Sequence, residues 1–571
     1  DNMASNSATA LSTQQSIKAY VDSQVGANNE LSEVLANGNT TGGTDIAVST
    51  GDDITFADSS KAIFGAGSDL QIYHDGSNSY IDEAGTGTLS IRTNLLYLQK
   101  YTGEAMLTAV SDGAVTIYHD NASKLTTTST GVDVTGTAVT DGVTVAGNLS
   151  VDGGTIKLDG NYPTGTSNVA LGNAALDNTD GTANYNTAIG TSALTALTTG
   201  DNNVAVGNNA LDASTTASLN TAVGSSSLGG TTTGEYNTAV GATALVSNTT
   251  ASYNTAVGYQ SLDANTTGAR NNAFGAISLG ANTTGQYNTS MGHASMASNT
   301  TGNNNVALGY DALNANTTAD GNTAAGYQAL TANTTGAYNA AFGYTALTAN
   351  VGGGENNAFG RNALGANVSG NGNSAFGHRS LQANTASNNA AFGHSALLAN
   401  TSGTSNVAVG REALQANTTA DNNTAVGYQA GYSNTTGNVT SVGYKALYSN
   451  STGSANVALG VETLGGNTTG NNNSAIGNYA LYANTTGANN VGLGTLALRF
   501  NTTAENNTAV GYQALYANTT GTPNTAIGYQ ALDANTTGSR NTGLGVGALG
   551  ANTTAVDNTS VGYASLLLNT T

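Results

Sequence analysis

A glycine ends an Ala-Val-Gly-like phrase 24 times between Gly172 and Gly562, and 20 of the 23 intervals between those glycines are 17 residues long. One interval is 18 residues and two are 16. So short a period constrains the fold strongly, because one unit cannot bury a core alone and must stack on its neighbours. The copy "NTAVGYQALYANTTG" at residues 507–521 is typical. Counted from its glycine, Gly511, position −4 is Asn in 23 copies, with Val439 the exception, and position −2 is Ala in 19. Position −1 is apolar in all 24 and position +4 is Leu in 22, while Asn-Thr-Thr is frequent at +7 to +9. A disordered Asn/Thr/Gly tract has no reason to hold an apolar residue at one phase through every copy.

Glycine, Asn-Thr-Thr and β-branched residues in each unit argue against helix. Seventeen residues suit one coil of an all-β fold, a parallel β-solenoid or β-roll, with a strand over "NTAVG", a second around "QALYA", and turns near the glycines. About 24 coils stacked 4.8 Å apart would make a shaft of roughly 115 Å over residues 166–571. Val510 then lies between Leu493 and Ile527, and Leu515 between Leu498 and Leu532. Asn507 lies between Asn490 and Asn524, with side-chain amides bonded from coil to coil. Asn507, Val510, Gly511 and Leu515 therefore read as structural. Tyr512, Gln513 and Tyr516 occupy variable positions and are the candidates for surface recognition. Strand alternation puts −1 and −3 on one face and −2 on the other. The face with large apolar groups is expected to be the coil interior. The face of small residues is expected to admit another chain, most simply in a trimer.

Two further regions precede the repeats. In residues 1–38 the positions Leu11, Ile17, Val21 and Val25 recur at near-helical spacing behind a Ser12 or Thr13 cap, which predicts a helical or coiled-coil-like attachment segment. So short a helix is marginal alone and is expected to pack on copies of itself or on a partner. Residues 39–165 break into short runs such as "LQIYHD", "TLSIRT" and "AVTIYHD", separated by Gly, Asp and Asn. Large apolar residues are too few for a thick core, so an intertwined β-rich region sharing its core between chains is expected.

Composition excludes several classes. A net charge of −21 argues against a nucleic-acid partner, which requires a basic face. The acidity is concentrated in residues 1–165, with 19 Asp/Glu against 6 Lys/Arg, leaving 15 against 7 for the rest. The repeats are thus nearly uncharged, and ion pairs cannot be what holds them. The absence of Cys removes disulfides and thiolate metal sites. No apolar run approaches the roughly 20 residues of a membrane helix, and no signal peptide opens the chain. Starting at Asp1 and stopping at Thr571 inside a repeat, the chain reads as a processed or partial product, with an anchor or tip outside it.

The search for chemistry yields little. His293, His378 and His394 all fall at +1, where Tyr is commoner, and read as members of an outward row. His74 and His119 sit in the paired phrases "IYHDG" and "IYHDN", 45 residues apart. Either residue could form a ring of imidazoles in a trimer and hold a metal, but each reads better as a hairpin-end residue. Carboxylates fall mainly at +2 (Asp311, Glu412, Glu462), +5 (Asp177, Asp212, Asp263, Asp533) and +11 to +12. Neighbouring coils seldom share an acid at one phase, so no pair within about 10 Å, as glycoside cleavage needs, is evident. A polysaccharide depolymerase and an ice-binding rod built on Thr columns remain rival readings. No enzyme activity, cofactor or resident metal is expected.

Two resemblances bear on function. The phrases Asn304–Gly309 ("NNVALG") and Ser405–Gly410 ("SNVAVG") resemble the Asn-Ser-Val-Ala-Ile-Gly head repeats of trimeric autotransporter adhesins, which implies a left-handed parallel β-roll in a homotrimer. Residues 10–25, 31–46 and 62–81 resemble segments of tail-fibre and related structural proteins of tailed phages, especially marine ones. That resemblance implies a trimer attached to other virion proteins at its N-terminal end and adhesive toward a host-surface glycan or protein. The expectation is therefore a structural and adhesive virion fibre outside the cell, with no membrane insertion. A bacterial surface adhesin or extracellular filament is the alternative.

Overall fold

A computed structural model describes residues 48–136 and 165–570. The expected helical segment lies outside those residues. Contacts divide the chain into two units, residues 1–150 and 151–571. The described residues of both are all-β, with no helix.

In the first unit, β1 (Lys61–Phe64), β2 (Leu70–His74) and β3 (Ser79–Glu83) form an antiparallel sheet. A second antiparallel meander contains β4 (Leu95–Gln99), β5 (Ala105–Val110), β6 (Val115–His119), β7 (Ala122–Thr127) and β8 (Val132–Val134). The alternation of β2 and β3 places Ile72 opposite Ile81, yet these residues are 44% and 58% exposed. Phe64, Leu95, Leu98 and Met106 are also exposed. Small sheets with uncovered apolar faces are marginal on their own.

The second unit is a parallel β-solenoid. Its 24 strands run from β9 (Val169–Leu171) to β32 (Thr559–Val561), and all but two are three residues long. Each strand pairs in register with the next, so that Leu493 faces Val510 and Val510 faces Ile527. The ladder is open: β9 bonds to β10 (Thr187–Ile189) at one end and β32 to β31 (Thr542–Leu544) at the other. It is a stack of coils.

Two expectations are corrected. The stretch "QALYA" forms a turn in place of a second strand. Gln513 and Leu515 adopt left-handed backbone, with φ of 55° and 48°, and the same alternation recurs at +2 and +4 in nearly every coil. Strand residues have negative φ, and left-handed conformations at alternate positions bend the chain sharply. As a result, the adjacent Ala514 and Leu515 both point inward and are fully buried. Left-handed backbone costs about 1–2 kcal/mol per non-glycine residue. Burying one leucine returns about 1.5–3 kcal/mol, which offsets roughly one of the two left-handed residues, and the bent backbone is itself hydrogen-bonded between coils. The Leu515 N–H donates to the Ala531 carbonyl of the next coil at 3.0 Å, and the Gln513 N–H to the Thr495 carbonyl of the previous coil at 3.1 Å.

The interior is also the reverse of the expected face. Ala509, at −2, is fully buried, whereas Val510, at −1, points outward and is only partly covered. Phe274, Phe342, Ile527 and Leu544, also at −1, are 38–43% exposed. A coil closed by a three-residue strand and tight turns has room opposite its leucine for a methyl group, and a larger group would overpack it. The small residues therefore face in because the coil is narrow. The large ones form an apolar outer stripe, in which Phe342, Phe359, Phe376 and Phe392 stack with centroids 4.7–4.8 Å apart.

The Leu498–Leu515–Leu532 row is buried as expected, and so is the asparagine column. The Asn507 N–H donates to Asn490 Oδ1 at 3.0 Å, and the Asn524 N–H to Asn507 Oδ1 at 2.8 Å. A second buried asparagine column, at +7, runs from Asn248 to Asn552. Asn518 Nδ2 donates both to Asn501 Oδ1 at 3.0 Å and to the Gly521 carbonyl at 3.1 Å. Asn535 Nδ2 then donates to Asn518 Oδ1 at 2.9 Å. The column falters at the 16-residue interval between Gly377 and Gly393, where Asn367 Oδ1 accepts nothing.

Candidate recognition surface

The turns that bury Ala514 and Leu515 leave positions +1, +2 and +5 outside, and these carry the variable residues. Tyr512, immediately after the glycine, is 41% exposed and stacks on Tyr529 at 5.4 Å. Gln513 accepts a hydrogen bond from Gln530 Nε2 at 2.9 Å. Tyr516 receives Arg499 Nη1 at 3.4 Å and meets the ring of Phe500 edge-on at 5.0 Å. All three side chains therefore belong to outer columns that follow the coil spacing.

The +1 column has a continuous stretch of rings and cations from His293 to Tyr444. His293, Tyr310, Tyr327 and Tyr344 stack at 5.2–5.5 Å, and the Arg361 guanidinium caps Tyr344 at 5.7 Å. His378 and His394 follow, 5.1 Å apart. Arg411 then leads to Tyr428, which stacks on Tyr444 at 5.6 Å. Four consecutive rungs here, Arg361, His378, His394 and Arg411, carry cationic or titratable side chains. The sequence places the three histidines in one outward row at +1, and aligning the units adds Arg361 and Arg411 at the same phase, which completes the block.

The block has an electrostatic consequence. The His378 imidazole is held below the usual histidine range, first by desolvation and then by the charges of His394, Arg361 and Arg379. A base whose folded pKa is depressed destabilises the fold when protonated. The penalty begins as pH falls through the unfolded value of about 6.5 and is complete below the folded one. NMR titration is expected to place the His378 midpoint below 6.5, and Arg361→Gln to move it upward. A midpoint at or above the ordinary value contradicts this account.

The solenoid carboxylates differ in what surrounds them. Glu412 is lowered by the hydrogen bond from Gln429 Nε2, 2.7 Å away, and then by Arg411. Burial raises Asp212, Asp263 and Asp533 at +5, each lying against the glycine that holds the same phase in the following coil. In the first unit His74 ends β2 with Nδ1 3.2 Å from Ser79 Oγ. His119 ends β6 beside Asp120 at 3.5 Å. Among the described residues no three His, Cys, Asp or Glu side chains gather as a metal site. Comparison with protein-family models, curated proteins and solved structures gave no match.

Proposed function

We propose that this chain is a structural and adhesive fibre of a phage virion. The solenoid would act as a shaft, the N-terminal region would attach it to other virion proteins, and the outer Tyr, Gln, Asn and Thr columns would contact a host-surface glycan or protein. The supporting observation is where the side chains go. Large apolar groups lie outside in both units, as the −1 stripe of the solenoid and as Ile72 and Ile81 in the first sheet. Uncovered apolar rows of this length mark surfaces that associate, and identical coils give identical spacing on every copy. A homotrimer formed through the −1 stripe would cover the solenoid row, and many weak contacts on three chains multiply.

Sedimentation equilibrium of the full chain is expected to give three times its 56.5 kDa mass; a monomer with the stripe intact would overturn the assembly. Antibody against the chain is expected to decorate purified virions at an extended appendage. Labelling confined to bacterial cells would replace this reading with that of a cell-surface adhesin or filament.

A further inference from the structure

Lined up by phase, the +5 residues from Tyr432 onward read Tyr432, Tyr448, Gly465, Tyr482, Arg499, Tyr516. Tyr432 and Tyr448 stack at 5.2 Å, so this is an aromatic and cationic column with one rung missing. The missing rung leaves a surface cleft of about 300 Å³ between Tyr448 and Tyr482, floored by Gly465 and Gly466, with Lys445 and Glu462 at its rim. That volume lies at the small end of ligand pockets. Flanking rungs two coils apart are separated by about 9.6 Å along the stack, and the Tyr482 ring leans over Gly465, 3.2 Å from where a Cβ would stand, so a flat guest enters between the walls as that ring swings aside.

Other glycines occupy the same phase, but their neighbours differ. Gly365 lies between Thr348 and Gln382, and Gly550 between Asp533 and Leu567. Clefts form at both, yet neither has a ring on each side. The Gly465 gap combines two tyrosine walls with a donor and an acceptor of opposite charge. The rim charges offset one another, which disfavours an ionic guest. Arg499 lies over Tyr479 at 5.5 Å, and the Tyr479 ring meets Tyr482 edge-on at 5.7 Å, bracing that wall from behind.

We infer that the Gly465 gap is a subsite for one ring of a neutral hexose oligosaccharide. This deepens the adhesive reading above and rests on it. A pyranose is flat, with C–H groups on its faces and hydroxyls around its edge. The tyrosine faces match the former, while the Glu462 carboxylate and Lys445 Nζ, which lies over the Tyr448 ring at 5.2 Å, match the latter. An aromatic or charged guest would use the walls but leave one of the rim groups unmatched.

The test is saturation-transfer NMR of the full chain with α- and β-linked glucose and galactose hexamers, alongside a hexuronate oligomer. A neutral hexamer is expected to bind, with Tyr448→Ala and Tyr482→Ala each weakening it about tenfold or more. Gly465→Tyr restores the missing rung and is expected to abolish binding. The backbone admits tyrosine at this phase, as Tyr448 and Tyr482 show, although Tyr482 must move, its ring lying 3.2 Å from the added Cβ. Gly365→Tyr, the same substitution at a gap without rings, is expected to leave binding unchanged. Failure of every neutral hexamer, preference for the hexuronate, or binding that survives Gly465→Tyr would overturn the subsite. If the unaltered chain still adheres to host cells in those cases, the adhesive function stands without it. Cell adhesion that is absent while the plugged gap abolishes hexamer binding would support the subsite and remove the adhesive reading.

Discussion

Gly511→Ala is expected to cost about 3–5 kcal/mol of local stability and to open the coils on either side. Two effects combine at this residue. Its φ of 131° lies where side chains are rarely accommodated, and an added Cβ would stand 2.5 Å from the Gly528 carbonyl oxygen and 2.7 Å from its carbon. The obstruction is backbone of the next coil, which cannot swing away without breaking the ladder. All 24 copies keep glycine here. Because each coil touches only its neighbours, the damage should stay local. Hydrogen exchange is therefore the measurement, with protection between residues 494 and 545 expected to fall about 100-fold or more. Gly521→Ala supplies the control. Its Cβ would also crowd a carbonyl in the next coil, but its φ is not left-handed, and alanine occupies the same phase at Ala217, Ala251 and Ala504. Equal losses for the two substitutions would remove the conformational argument.

That contrast shows which parts of the fold were readable from residues alone. The invariant glycine, the leucine row and the Asn507 column were legible because stacking places equal phases together, whatever shape the coil takes. The shape was less legible. Alternation assigned Val510 to the interior because a strand long enough to define a face was assumed. With three strand residues per coil, interior width is set by the turn, whose left-handed Gln513 and Leu515 leave no periodic hydrophobic signal. The Asn518 column was hidden for a related reason: "NTT" reads as a polar loop, and only the turn geometry carries its asparagine inside. The outer face of the coil was partly legible. Tyr512, Gln513 and Tyr516 were found by their variability, but the Gly465 gap is a property of three coils together. It emerges from the identities of Tyr448 and Tyr482 at the same phase, which no single unit contains.

The inward asparagine column makes a second large effect predictable, with its pH dependence. Asn518→Asp replaces a fully buried amide with a carboxyl of nearly the same shape. The native Nδ2 donates to Asn501 Oδ1 and the Gly521 carbonyl, while Oδ1 accepts from Asn535. A carboxylate keeps the bond from Asn535 but turns an oxygen toward two other acceptors, at a fully buried position whose hydrogen-bond partners are all neutral. Its pKa should therefore rise well above the unfolded value of about 3.9. A protonated carboxyl restores one donor, so below pH 4 the variant should approach the native chain. As pH rises through the interval between the unfolded and folded pKa values, stability should fall at about 1.4 kcal/mol per pH unit. The plateau is expected near 3–5 kcal/mol of loss at neutral pH. Asn518→Leu separates charge from shape, because leucine already fills this phase at Leu197, where it is fully buried. Its cost should be smaller, about 1–3 kcal/mol for the abandoned acceptors, and independent of pH. Hydrogen exchange of the coils around residue 518, followed from pH 3 to 7 and corrected for intrinsic rates, distinguishes the two. A flat profile for Asn518→Asp would mean that water reaches this column and that its amides are not what hold the coils in register.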